Sequence, residues 1–221
     1  MRLFFLLVVG LGGFAVLVGL GVWQVQRLAW KEGVLAEIEA SISAAPVTVP
    51  QAPSEADRYL SVATGGVLGE DEIHVLASAK GFGAGYRVIR ALETDGRRVL
   101  VDLGMVRPEA KDAPRPGGPV DVLGNLHWPD EVDSFTPEND VAGNIWFARD
   151  VEVLADALGT EPVLIVARDV SPPVPGAVVF PVDTSGIPND HLGYAVTWFG
   201  LAAVWLSMAG LFLYRSRRKS D

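Results

Sequence analysis

The chain opens and closes on two uninterrupted apolar runs. No charged residue falls between Leu3 and Gln26, and none between Leu192 and Tyr214. About 20 apolar residues, each rising ~1.5 Å, cross a hydrocarbon core of ~30 Å, so both runs predict transmembrane helices, over 3–26 and 192–214. Trp23, Trp30, Tyr194, Trp198 and Tyr214 lie near the ends of these runs, where amphipathic rings favour the headgroup zone. A cleaved signal peptide would have a shorter apolar region followed by a small-residue site. Val22-Trp23-Gln24-Val25-Gln26-Arg27 stands there instead, so the first run is expected to remain as an anchor.

Past the anchor, Leu28, Leu35, Ile38 and Ile42 keep helical spacing through a charged stretch, which predicts an amphipathic extension over 27–45. Pro46, Pro50 and Pro53 then predict a linker over 46–58. From 59 to 188 the pattern changes to short β-like runs: Tyr59 to Thr64, Glu72 to Ser78, Tyr86 to Leu92, Arg98 to Leu103, Val120 to Leu126, Val163 to Arg168 and Ala177 to Phe180. Separated by Gly, Pro and Asp, they predict a mainly antiparallel sandwich or small barrel. Asp95-Gly96 between two runs is a hairpin signal, because Asp-Gly accommodates a turn that needs positive φ. One helix should pack on the strands, since Val151, Leu154, Ala155 and Leu158 share a helical face, with Asp150 as cap and Gly159 at the stop. The fold class is therefore α+β, two membrane helices flanking one β-rich domain.

Charge sets the expected orientation. The tail over 215–221 carries Arg215, Arg217, Arg218 and Lys219, and Arg2 precedes the first helix. Basic residues in short flanks mark the cytoplasmic side, so both termini are expected in the cytoplasm and the middle domain in the periplasm of a bacterial inner membrane. Arg27 and Lys31 lie on the outer side against this trend. The whole chain has a formal charge of −9, and with the basic tail set aside the middle is more acidic still. An acidic domain is unsuited to nucleic acid, whose phosphates need a basic surface. The lipid bilayer is the first expected partner. The chain has no cysteine, which removes disulfides, thiolate zinc, Cys-ligated copper and iron–sulfur chemistry.

Most local constellations have plain readings. Gly81-Phe82-Gly83-Ala84-Gly85 lacks the spacing and the strand–helix context of a phosphate loop and reads as a turn. Asp130, Glu131 and Asp133 lack calcium-loop spacing and read as a solvated acidic loop. No Gly-x-Ser-x-Gly elbow surrounds any serine, which disfavours a hydrolase. His74 and His127 fall in or at the end of strand-like runs and read as structural histidines.

His191 differs by its position. Pro188-Asn189-Asp190 predicts a helix start, placing His191 in the first turn at the outer interface, with Tyr194, Trp198 and Trp205 following at helical spacings. Spacing leaves two readings open, of which an interfacial aromatic belt with a polar cap is the plainer. The other is a flat hydrophobic cofactor held at the outer leaflet, with imidazole as axial ligand to haem iron. On the first helix, Trp23, Arg27 and Trp30 are spaced to share a face; Arg27 and Lys31 could hold propionates or snorkel to lipid phosphate. Ala15 and Gly19, and Ala203 and Ser207, are spaced for close helix approach.

Two longer motifs add a resemblance. Gly21-Val22-Trp23-Gln24-Val25-Gln26-Arg27-Leu28-Ala29-Trp30-Lys31 resembles the G-x-W-Q-x-x-R-L-x-W-K exit from the first helix of the surfeit locus protein 1 family, assembly factors for cytochrome c oxidase. His191-Leu192-Gly193-Tyr194-Ala195-Val196-Thr197-Trp198-Phe199-Gly200-Leu201-Ala202 resembles the family's H-L-x-Y-A-x-T-W-F-x-L-A run at the second. Gly85-Tyr86-Arg87-Val88 and Val99-Leu100-Val101-Asp102-Leu103-Gly104-Met105-Val106 are similar to its hairpin. The chain departs from the family at Asp102-Leu103-Gly104-Met105, where Asn-Arg-Gly-Trp is usual, and at Asp190, where Asn is usual.

The resemblance implies a non-catalytic assembly factor that binds haem A at the outer membrane interface and assists its insertion into the catalytic subunit of the oxidase. It favours the second reading of His191, as iron ligand. Tyr194, Trp198, Trp23 and Arg27 complete the implied cofactor site, the rings flanking the macrocycle and Arg27 facing its propionates. Haem A synthase is a second implied partner. The competing expectation is a scaffold that stabilises an oxidase assembly intermediate without touching haem. Alkaline phosphatase fused after Thr64 is expected to be active; an inactive fusion would overturn the orientation.

Overall fold

In the computed structural model, residues 2–218 are described, with side chains from Phe4 to Ser216 apart from Phe5 and Leu6. The charges assigned to the cytoplasm at Arg2, Arg217, Arg218 and Lys219 lie outside the described side chains. The chain forms two units. One is built from the end segments, up to Glu37 and from Thr184; the other is Ile38–Asp183.

Helix α1 (Arg2–Ser43) runs through the first apolar segment and on through the charged one without a break. Helix α3 (His191–Arg218) contains the second apolar segment. The stretches 7–43 and 191–216 are each long and apolar enough to cross a membrane. The residues from 46 to 58 run along the second unit: Val47 bridges Val62 in parallel, and a single 3-10 turn forms at Glu55–Asp57.

The second unit is a five-stranded barrel of β1 (Ser61–Ala79), β2 (Gly83–Thr94), β3 (Arg97–Val106), β4 (Gly118–Leu126) and β5 (Leu164–Ser171). The closed order is β1-β2-β3-β5-β4. All neighbours are antiparallel except β3 and β5, which pair in parallel, so the sheet is mixed. Asp95 (φ 50°) and Gly96 (φ 74°) form the tight turn expected between β2 and β3. The Gly81 region is the β1–β2 turn.

Two sequence expectations change. The runs at 59–64 and 72–78 are halves of one 19-residue strand. Gly65, Gly66, Gly69 and the Glu70-Asp71 pair look like a break, yet the strand continues because its halves serve different neighbours. Residues 61–68 pair with β4, while 67–68 and 72–79 pair with β2 across a register shift between Leu68 and Glu72. The run Ala177 to Phe180 gives no strand, only a bridge between Val178 and Met105. Pro175-Gly176 before it and Pro181 after it interrupt the extension, and proline has no N–H to offer a ladder.

Alternation along the strands separates two apolar layers. Val88, Val99, Val101, Leu103, Ile165 and Ala167 belong to one buried cluster that fills the barrel. Their neighbours Ile89, Leu100, Leu164 and Val166 belong to another, which packs under helix α2 (Val151–Leu158) and Trp146. Asp150 caps α2 by accepting from Val153 N, and Gly159 (φ 61°) ends it in the left-handed conformation.

Charge is buried on that covered face. Asp102 lies on the same side of β3 as Leu100 and is fully buried. Its Oδ2 accepts from Arg87 Nη1 at 2.6 Å and Arg149 Nη1 at 3.1 Å, and its Oδ1 from Gly104 N at 3.0 Å. Arg149 also donates to Glu131 through Nε at 3.1 Å, tying the acidic loop to the barrel. Burial would lower the basicity of Arg149, but the carboxylates of Asp102 and Glu131 raise it. Removing one partner from such a set costs about 3–5 kcal/mol. The departure at position 102 is thus a structural ion pair, while Leu103 fills the barrel and Met105 is buried at its bridge to Val178.

A second set surrounds Glu72. Burial pushes its carboxyl up, but hydrogen bonds from His74 and Arg115, with the charge of Arg115, hold it at about 2. Arg90, fully buried, donates from Nη1 to Arg115 O at 2.9 Å and from Nη2 to Gly69 O. His74 Nε2 lies 2.8 Å from Glu72 Oε1. His127 has the opposite setting: burial first, then the charges of Arg149 and Arg58, push its imidazole down to about 4.

Gly104→Ala is expected to destabilise the protein by about 2 kcal/mol or more, because φ is 99° and the new Cβ would land on Val178 O; denaturant midpoints of the full chain check this. Stability should also fall between pH 6.5 and about 4. In that window unfolded His127 binds a proton that the folded form refuses, so the unfolded state is favoured as pH drops. Glu72, depressed when folded, adds a further loss from pH 4.5 down to about 2. His127→Asn should flatten the upper window and leave the lower one.

Candidate functional site

Within the end-segment unit, α1 and α3 pack antiparallel. Gly10 lies against Ala209, Gly13 against Trp205 and Gly21 against Phe199, and Gln24 is hydrogen-bonded to His191. Low exposure recurs every seven residues at Gly10, Leu17, Gln24 and Lys31, and on α3 at Ala195, Ala202 and Ala209, with His191 and Trp198 on the same seam. A seven-residue recurrence is the spacing of a seam along which two helices stay in contact. Alanine at position 13 would place Cβ 2.6 Å from the Trp205 ring, and at 21 it would lie 2.7 Å from that of Phe199.

The small residues expected at the approach are not those used. Ala15, Gly19, Ala203 and Ser207 are exposed, and Ser207 Oγ donates to Ala203 O of its own helix at 2.8 Å. Four-residue spacing is frequent in a Gly- and Ala-rich span, whereas the buried seam follows the seven-residue register.

His191 begins α3, where Asp190 O accepts from Tyr194 N at 3.2 Å. The imidazole is half-buried, and Nδ1 lies 2.8 Å from Gln24 Oε1. An amide oxygen carries no proton, so Nδ1–H donates, and in the neutral ring the lone pair then lies on Nε2. A neutral imidazole with one nitrogen tied and the other bearing a lone pair is the form that ligates iron. Two residues away, Asn189 Oδ1 is buried without a hydrogen-bond partner among the described residues.

The other expected residues divide. Trp198 shares the seam and is half-buried; Tyr194 is 56% exposed and Trp23, beside Gln24, is 53% exposed. None of these rings contacts His191 among the described residues. The Arg27 guanidinium lies 3.8 Å from the centre of the Trp30 ring, a cation–π contact that leaves the cation outward-facing. Trp205 leaves the aromatic stripe: its Nε1 donates to Gly10 O at 2.9 Å and its ring fills the space over Gly13. Gln24, only 7% exposed, is the member of the site to which the sequence motifs assign no role. A signal for it exists in the sequence, as an amide inside an uncharged span must find a partner.

In the barrel, His74 is engaged by Glu72 and by Asn144 Nδ2 at 3.3 Å. Glu131 is paired with Arg149, and Asp133 caps the turn at Phe135 and Thr136. Among the described residues no group of three or more His, Asp or Glu side chains is placed to hold a metal ion.

A family model for the SURF1 family matches residues 11–203. Surfeit locus protein 1 of Homo sapiens is 33% identical over 210 residues, covering 84% of this chain and 70% of that protein. The protein of the same name from Takifugu rubripes is 31% identical, covering 84% and 87%. A SURF1-like protein of Monosiga brevicollis is 31% identical, covering 86% and 80%. The match spans both helix motifs and the barrel between them.

Proposed function

Because the chain belongs to the SURF1 family, whose members are assembly factors for cytochrome c oxidase, we propose that it receives haem A at the outer membrane interface and passes it to the oxidase's catalytic subunit. The observation that carries this reading is the His191–Gln24 contact, which leaves the Nε2 lone pair to a ligand. Haem A, as cargo, supplies a Lewis-acidic iron and a flat apolar ring, which the side chains at this end of the helix pair are equipped to meet.

His191 would hold the iron through Nε2. Outward-facing Trp23 and Tyr194, with half-buried Trp198, supply flat apolar surface beside it. Arg27, steadied on Trp30, offers a charge-assisted donor to a propionate. One protein ligand is enough to capture iron and few enough to surrender it. The barrel would dock the catalytic subunit or haem A synthase from the periplasmic side of a bacterial inner membrane.

Protein purified from cells that make haem A is expected to show haem absorption that His191→Ala removes or shifts. A wild-type preparation without haem, or one whose spectrum ignores His191→Ala, would falsify the cargo reading. It would favour instead a scaffold that holds an assembly intermediate without haem.

A further inference from the structure

We propose that Gln24 is a positioning residue that fixes His191 as a neutral Nε2 donor and, by being an amide and not a carboxylate, keeps that donor weak enough to release iron. The inference rests on the proposed haem cargo.

Gln24 is buried on the seam of α1 inside a run with no charged residue. A buried amide without a hydrogen bond is unfavourable, so burial favours the arrangement in which Gln24 is bonded. Its oxygen meets Nδ1 of His191 at 2.8 Å. That single bond decides two properties of the imidazole. It selects the tautomer, with the proton on Nδ1 and the lone pair on Nε2. It also fixes the direction of the ring, because the bond crosses between helices whose register is set nearby by Gly21 against Phe199.

The chemistry of the acceptor sets ligand strength. Metal-bound histidines commonly donate their second N–H to a carboxylate, whose charge makes the imidazole more basic and its metal bond stronger. An amide oxygen orients the ring equally well but adds no full negative charge. Asp190, adjacent in sequence, is exposed, and the acceptor found on Nδ1 is the amide. Orientation without electron push suits a transfer protein, which must bind iron and then give it up.

The test uses the full chain in lipid nanodiscs with ring-¹⁵N histidine, comparing wild type, Gln24→Leu, Gln24→Glu and His191→Ala. Before any haem is added, the nitrogen shifts of wild-type His191 should report protonated Nδ1, and Gln24→Leu should give a mixture of tautomers. Titrated with hemin, Gln24→Leu should bind about tenfold or more weaker. Gln24→Glu, which keeps an acceptor and adds charge, should restore or exceed wild-type affinity, lower the iron midpoint potential and slow transfer to apomyoglobin. A proton on Nε2 of the wild type overturns the inference, as does hemin binding that depends on His191 yet is equal in both Gln24 variants. Binding unaffected by His191→Ala overturns the cargo reading, and this inference with it.

Discussion

The barrel depends on β5 being hydrogen-bonded along both edges. Eight residues, Leu164–Ser171, join β3 in parallel on one side and β4 antiparallel on the other. Without that insertion β3 and β4 would each present an open edge, a liability that closure removes. Closure also creates the two layers, since Ile165 and Ala167 face the interior while Leu164 and Val166 face α2. The covered outer face in turn makes room for Asp102 between two guanidinium groups, an arrangement that would dissolve into solvated charges if α2 and the Arg149 segment were not held over the sheet.

The helix pair follows a different rule. In an apolar surrounding, helices gain little from hiding apolar surface, so close packing and a few hydrogen bonds decide how they meet. Here glycines at 10, 13 and 21 admit Ala209, Trp205 and Phe199, and hydrogen bonds from Trp205 to Gly10 and between His191 and Gln24 tie the pair. The first uses a side chain to reach backbone; the second joins two side chains and leaves a ring nitrogen unspent. Structure and chemistry thus meet at one end of the seam.

Features governed by neighbours in sequence were legible from the residues: the Asp95-Gly96 turn, the helix from Val151 with its Asp150 cap and Gly159 stop, and the two apolar helices. What escaped was set by partners far along the chain. The parallel pairing of β3 with β5 joins residues more than sixty positions apart, and no local pattern encodes it. β1 looked like two strands because its glycines and Glu70-Asp71 break the apolar alternation, although different neighbours support each half. The burial of Arg90 and Arg115 has no local signal either, since it is the closed barrel that covers them. For the site, the motif around His191 was visible, but Gln24 acquires meaning only across the helix interface, and Trp205 loses its place in the aromatic stripe for the same reason.

The buried carboxylate at position 102 also bears on how such a sequence changes by descent. With Asp102 neutralised to an amide, Arg87 and Arg149 would share one uncharged acceptor; with either arginine lost, the carboxylate would keep half its compensation. Arg149 would still have Glu131 and Arg87 would still have Phe180 O, so the loss falls on the shared acceptor at position 102. The carboxylate at this position is thus the one member of the set that cannot be replaced without changing what both arginines meet.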